Sequence, residues 1–207
     1  MKATRPVPDP DTLTPGARRI LDAASVLFYE RGITAVGVDL IAERSGVTKR
    51  TLYDRFGSKD ALVATYLVDR DRRWRLVVEE ALTVPGLSAL ERVTAPFDAL
   101  REWVRQSRRG CAFINALAEL PDPGHPAHQV AADEKRWLVA LFGRLAAEAG
   151  IADSAELAGR LLCLHEGALA VAMALPEVDS VSIAGRAARD LVRAATAGTG
   201  RRGLDVQ

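Results

Sequence analysis

The chain has 207 residues, of which 48% are hydrophobic and 27% charged, with a net charge of +1. That balance supplies a buried core, excludes a wholly disordered chain, and leaves room for one medium domain or a small domain joined to a larger one. Cys111 and Cys163 are the only cysteines, which excludes a disulfide framework and makes a reducing cytoplasm the expected location. The start, "MKATRPVPDPDTLTPGA", has no apolar h-region and does not read as a secretory signal. No run approaches 18 consecutive apolar residues, so no membrane segment and no membrane partner are expected.

Residues 1–15 carry Pro6, Pro8, Pro10 and Pro15 without periodicity and read as a flexible arm. From Gly16 the spacing of Ile20, Ala24, Leu27 and Phe28 predicts a helix that Gly32 stops. Val38, Ile41, Ala42 and Ser45 form a second short face closed by Gly46, and Leu52, Tyr53 and Phe56 a third closed by Gly57. "SKDALVATYLVDRDRRWRLVVEEAL" predicts a longer helix ended by Pro85-Gly86. A continuous stripe of Leu90, Val93, Phe97, Leu100 and Val104 then predicts a helix from Ser88 to Gln106, with Pro96 as a kink inside it. The short segment "CAFINALAEL" runs into the breakers "PDPGHP". Pro126 suits the first turn of a helix that buries Val130, Trp137, Leu141, Phe142 and Leu145. Asp153 and Glu156 read as a capping box for the next helix, whose stripe runs from Leu157 to Leu175. A last helix carries Ile183, Ala187, Leu191 and Ala194, and residues 198–207 read as a loose tail. No segment alternates with period two, so the fold class is all-α with about nine helices.

The second and third helices are joined only by "GVT", too short for antiparallel neighbours, so they must cross steeply as a helix-turn-helix. Ala42 is small at the close approach, Gly46 can take a positive φ, and Thr48 is a natural N-cap. With Leu52 and Phe56 facing inward, Lys49, Arg50 and Tyr53 face outward with Thr51 beside them. Lys59 follows at the start of the next helix. Between Arg44 and Asp60 there are five cations against two acids. A lone Lys-Arg pair is usually a solvated face. Here the pair sits at a helix N-terminus, whose partial positive charge and open N–H groups suit phosphate, on an element shaped to enter a major groove.

The stretches "ARRILDAASVLFYERGI" and "LIAERSGVTKRTLYDRFGSKDAL" resemble the TetR family of bacterial transcriptional repressors. Its signature Ile-Ala-x-x-x-Gly-Val-[Ser/Thr]-x-x-Thr-Leu-Tyr-x-x-Phe-x-x-Lys-[Asp/Glu]-x-Leu is matched position for position from Ile41 to Leu62. The resemblance implies an N-terminal DNA-binding domain over 16–62, a helical effector-binding and dimerisation body over 63–197, and a homodimer on double-stranded operator DNA. Thr48, Lys49, Arg50, Thr51, Tyr53 and Lys59 are the expected DNA-binding residues. One departure stands out: where the family often has two hydroxyl residues before its second helix, this chain has Val36 and Gly37, neither of which carries a hydroxyl for the phosphate contact that the resemblance implies there.

In the body, the stripe of Leu157, Leu161, Leu164, Ala168 and Val171, with Ala187 and Leu191 on the small-residue-rich last helix, is the expected dimerisation surface. The competing reading is that this stripe faces its own core. Trp103, Phe113, Asn115, Trp137, Cys163, His165 and Glu166 are aromatic or polar residues on apolar helices and are the candidates for binding a small hydrophobic effector; each alone reads more readily as ordinary core or surface. His125 and His128 lack further ligands at metal spacing and read as loop caps. No cofactor is implied. The favoured function is a cytoplasmic repressor released from a pseudo-palindromic operator by an effector. The alternative keeps DNA binding without an effector, as a constitutive or activating regulator. An all-α enzyme finds no support in any metal, phosphate-loop or nucleophile motif.

Overall fold

The computed structural model describes residues 7–107 and 109–202. Among them are nine α-helices and no strand: α1 Pro15–Arg31, α2 Val38–Ser45, α3 Lys49–Phe56, α4 Lys59–Leu82, α5 Ala89–Gln106, α6 Ala112–Glu119, α7 Pro126–Glu148, α8 Ser154–Ala174 and α9 Ser180–Arg202. The all-α expectation and the helix count stand. The expected loose tail begins inside α9, which runs on to Arg202, and residues 203–207 lie outside the described residues. The first six residues of the expected arm also lie outside them.

The start of α1 shows how local chemistry sets an element. Thr14 has extended backbone and accepts from the Ala17 N–H at 3.4 Å, while Pro15 occupies a first-turn position where no N–H is needed. Ser88 and Glu91 form a reciprocal capping box on α5: Ser88 Oγ accepts from Glu91 N at 3.2 Å and Glu91 Oε2 from Ser88 N at 2.9 Å. The Ser88 hydroxyl, which donates to Glu91 Oε2 at 2.6 Å, and then the Ser88 N–H hold the Glu91 carboxyl below its ordinary range. The capping box expected at Asp153 and Glu156 does not form. Asp153 leaves the extended region, with φ −93 and ψ 49, and makes no side-chain cap bond. Glu156 turns instead to Arg160 at 2.9 Å.

The chain divides into two compact units, Met1–Arg73 with Ala112–Glu134, and Trp74–Cys111 with Lys135–Gln207. The first buries Ile20, Leu21, Leu27, Phe28, Ile41, Leu52, Phe56, Leu62 and Tyr66, with the Phe28 and Tyr66 rings 5.8 Å apart. Within it, residues 7–14 of the expected arm are anchored. Pro10 is buried, its carbonyl accepts from Arg18 at 2.6 Å, and Arg72 pairs with Asp9 and Asp11, each at 2.6 Å.

The second unit packs α9 on α8 and α5 around Trp74, Phe97, Leu100, Leu138, Phe142 and Leu161. By length and composition α8 is apolar enough to cross a membrane, with mean hydropathy 1.4. It also carries Glu156, Arg160, His165 and Glu166, which a bilayer interior penalises. Its Leu157, Ala158, Leu161, His165, Ala168 and Leu169 are buried in the protein, as expected of a core helix.

Candidate functional site

The helix-turn-helix forms as its turn chemistry requires. Gly46 closes α2 in the left-handed region at φ 65, where a β-carbon would be strained, and Val47 N–H returns to Ala42 O at 3.1 Å. Thr48 then takes extended backbone, and its hydroxyl accepts from Thr51 N at 3.1 Å to cap α3. Leu52 and Phe56 are fully buried and fix the rotation of α3. That rotation leaves Thr48, Lys49, Arg50 and Tyr53 exposed, Tyr53 at 41%, with Thr51 half-buried and its hydroxyl 2.9 Å from that of Thr48.

The cations on this face are paired with acids. Lys49 Nζ lies 3.0 Å from Asp39 in the first turn of α2, and Arg50 lies 3.9 Å from Asp54 one helical turn on. Asp39 was missed from the sequence because it lies ten positions before its partner, outside the basic window. Gly37 is the N-cap of α2 and makes no side-chain cap bond, while Val36 is fully buried. The missing hydroxyls are thus a real local difference: α2 starts without a side-chain cap.

Lys59 has a second task that the sequence did not reveal. Its ammonium donates to Ile33 O at 2.6 Å and lies 5.9 Å from the Phe28 ring centroid, in a half-buried position. Burial pushes its pKa below the usual lysine range, against the opposing pull of Asp60 and Glu119. Glu119 of α6 completes the arrangement by accepting from Thr34 N at 2.9 Å and Thr34 Oγ1 at 3.1 Å. Gly32 enters this loop at φ 92, and a β-carbon there would meet Glu119 Oε2 at 3.0 Å. The α1–α2 loop is therefore held by a lysine and a glutamate that lie 26 and 85 residues from their partners.

His125 and His128 serve as loop caps. His125 Nδ1 accepts from Ala127 N at 3.1 Å with Nε2 3.3 Å from Asp60, and His128 Nε2 lies 2.6 Å from Leu120 O. No group of three metal-ligating side chains occurs among the described residues.

In the second unit, three of the seven ligand candidates, Trp103, His165 and Glu166, come together. His165 on α8 and Trp103 on α5 both contact Trp74 of α4, with ring centroids 5.4 and 5.5 Å from it. Trp137 is half-buried on α7, with the Arg75 guanidinium 4.6 Å from its ring centroid. Phe113 and Asn115 lie on α6, in the first unit, the former buried and the latter half-buried.

His165 is buried, and Nδ1 lies 3.1 Å from Glu166 Oε1, which also receives Lys135 Nζ at 2.8 Å. Burial pushes the His165 pKa down, outweighing the upward pull of Glu166. Burial would raise the Glu166 carboxyl, but the His165 hydrogen bond and the Lys135 ammonium bring it down to about 2. Glu166 was among the candidates, whereas Trp74 and Lys135 were not. The signal of these two in the sequence is only that of ordinary core and surface residues.

The expected dimer stripe splits in two. Leu157, Leu161 and Ala168 are buried within the chain itself, each with at most 4% of its surface exposed. Leu164, Ala187 and Leu191 remain half-buried and Val171 is exposed. Leu164 and Leu191, with Gly159 and Cys163, line an open groove of about 600 Å³. Met173, Leu175 and Ile183 extend the exposed apolar surface.

The profile of bacterial regulatory proteins of the tetR family matches residues 20–66. The structure of SCO4454, a TetR-family transcriptional regulator from Streptomyces coelicolor, superposes with a TM-score of 0.74 at 33% identity, covering 87% of this chain and 94% of that one. The HTH-type transcriptional regulator YjdC of Escherichia coli (strain K12) is 29% identical over 180 residues, 84% of this chain and 92% of that protein. Relatives matched over shorter spans include both a repressor and an activator. The chain belongs to the TetR family of bacterial regulatory proteins and is a DNA-binding transcriptional regulator, not an enzyme.

Proposed function

We propose that the protein is a repressor that binds a pseudo-palindromic operator as a homodimer and releases it when a small hydrophobic effector enters the second unit. The carrying observation is the capped α3, which presents Lys49, Arg50, Thr51 and Tyr53 outward while Leu52 and Phe56 anchor it. Thr48, Lys49 and Arg50 meet phosphates and base edges, Tyr53 reaches a phosphate with its hydroxyl, and Lys59 stands behind them as a backbone contact. Two copies related by a two-fold axis would place their α3 helices about 34–36 Å apart, one DNA turn. The exposed surface of Leu164, Val171, Ala187 and Leu191 is the proposed contact between copies.

The effector site is proposed around Trp103, Trp137 and His165. The α4 helix begins with Lys59 in the first unit and carries Trp74 in the second, so it is the element through which ligand binding would act on the DNA-reading helices. Such a regulator works in the cytoplasm, where Cys111 and Cys163 stay reduced.

Selection from a random DNA pool gives the operator, and fluorescence anisotropy on it tests the interface. Lys49→Ala and Tyr53→Phe should each weaken operator binding, and unchanged affinity in both would overturn the assignment of α3. The rival reading, a constitutive or activating regulator, fails if compounds that raise the melting temperature also release the operator and relieve repression of a reporter.

A further inference from the structure

The second unit contains two buried ring nitrogens, on side chains in ring contact, that lack a hydrogen-bond partner among protein groups: Trp74 Nε1 and His165 Nε2. Their rings are 5.4 Å apart between centroids, and both residues are more than nine-tenths buried. Buried polar groups are almost always hydrogen-bonded, so two orphans in ring contact point to a missing partner.

The chemistry of the pair narrows what that partner is. Glu166 Oε1 takes Lys135 Nζ at 2.8 Å and is a carboxylate, an acceptor only, so the His165 Nδ1 that lies 3.1 Å from it carries the proton. Burial keeps the imidazole neutral, which leaves Nε2 as a bare acceptor. The indole Nε1 of Trp74 is a donor only. A single group that bridges the two has to accept from the tryptophan and donate to the histidine. A carbonyl or ether satisfies only Trp74, and an ammonium only His165. A carboxylate satisfies only Trp74 and brings like charge toward Glu166. A hydroxyl satisfies both. The surroundings are aromatic, with Trp103 edge-on to Trp74 at 5.5 Å and Phe97 edge-on to His165 at 6.1 Å, a geometry that favours a flat ring over an alkyl chain. Trp103 is half-buried and forms the outer edge of the group.

Resting on the reading that the second unit carries the effector site, we propose that the ligand is a small phenol whose hydroxyl bridges Trp74 Nε1–H and His165 Nε2, with its ring against Trp103 and Phe97. The test is isothermal titration of the full chain with 4-methylphenol, its methyl ether 4-methylanisole, and p-xylene. The phenol should bind at least tenfold more tightly than either analogue, because only it completes both hydrogen bonds. Trp74→Phe should abolish that preference. Equal affinity for the phenol and its ether would overturn the proposal, as would failure of the phenol to bind at millimolar concentration. A water molecule bridging the two nitrogens would produce that same lack of preference. The three-ligand comparison needs no variant, so a poorly folding Trp74→Phe leaves the outcome decisive. A second readout, release of labelled operator, separates this inference from the effector reading. Phenol-selective binding without release retains the site and removes its effector role. Release by ligands indifferent to the hydroxyl retains the effector role and removes the phenol.

Discussion

Replacing Thr48 with alanine removes the oxygen that accepts from Thr51 N at 3.1 Å and that contacts the Thr51 hydroxyl at 2.9 Å. The α3 helix has only eight residues, well below the length at which a helix holds itself together in water, so it depends on this cap and on burying Leu52 and Phe56. Losing an N-cap threonine costs about 1 kcal/mol. For a chain of this size that lowers the melting temperature by roughly 2–4 °C. If the first turn must re-form on DNA, the same energy weakens operator binding about fivefold. Thr48→Asp separates the cap from the contact. Aspartate caps as well as threonine and favours the positive helix end, so the melting temperature should hold. The new carboxylate, however, would face phosphate, and operator affinity should fall by more than tenfold. Thermal unfolding and fluorescence anisotropy on the three proteins supply both readouts. Wild-type operator affinity in Thr48→Asp would refute the placement of this helix end against DNA.

Other outcomes follow from the same geometry. A β-carbon at Gly37 meets nothing within 4 Å, and the backbone there is extended at φ −80, so Gly37→Ser should cap α2, stabilise by a few tenths of a kcal/mol, and tighten DNA binding through a restored hydroxyl–phosphate contact. Asp39→Asn frees Lys49 from its exposed partner and should raise non-specific affinity and steepen its salt dependence, read from anisotropy across a salt series. Lys59→Ala should lower the salt slope by about one and also destabilise by about 1 kcal/mol, because Ile33 O loses its donor. Acid should act through the second unit. His165 lies below its ordinary 6.5 and Glu166 falls from 4.5 to about 2 in the folded state, so the unfolded chain takes up protons that the folded one refuses. Stability should therefore begin to fall as pH drops below 6.5 and fall further between 4.5 and 2. The Glu166 share is on the order of 3 kcal/mol at about 1.36 kcal/mol per unit. Urea unfolding against pH should show the lower limb flattened in Glu166→Gln.

The helix-turn-helix was legible in the sequence because its determinants are local. Gly46, Thr48, Leu52 and Phe56 lie within eleven positions, and turn geometry, capping and helical spacing act over that range. What escaped was long-range: Asp39 on Lys49, Glu119 on Thr34, and Lys59 on Ile33, none of which leaves a periodic trace. The body was harder. A 3-4 apolar stripe on α8 reads alike whether it faces its own core or a second chain, and only the fold separates the buried Leu157, Leu161 and Ala168 from the more open Leu164 and Val171. Capping was misread at Asp153 because residue type alone does not fix φ and ψ; Ser88 and Glu91 have the same spacing and do form the reciprocal pair. The Trp74–His165 contact joins positions 91 residues apart on α4 and α8, and no single-sequence pattern links them.

The most direct test of the DNA-binding mode is selection of bound duplexes from a random pool by the purified full chain, with its mass in solution measured alongside by light scattering. Recovery of an inverted repeat with half-sites about one helical turn apart, bound by a dimer, is the expected result. A monomer that enriches no sequence at low ionic strength would contradict it.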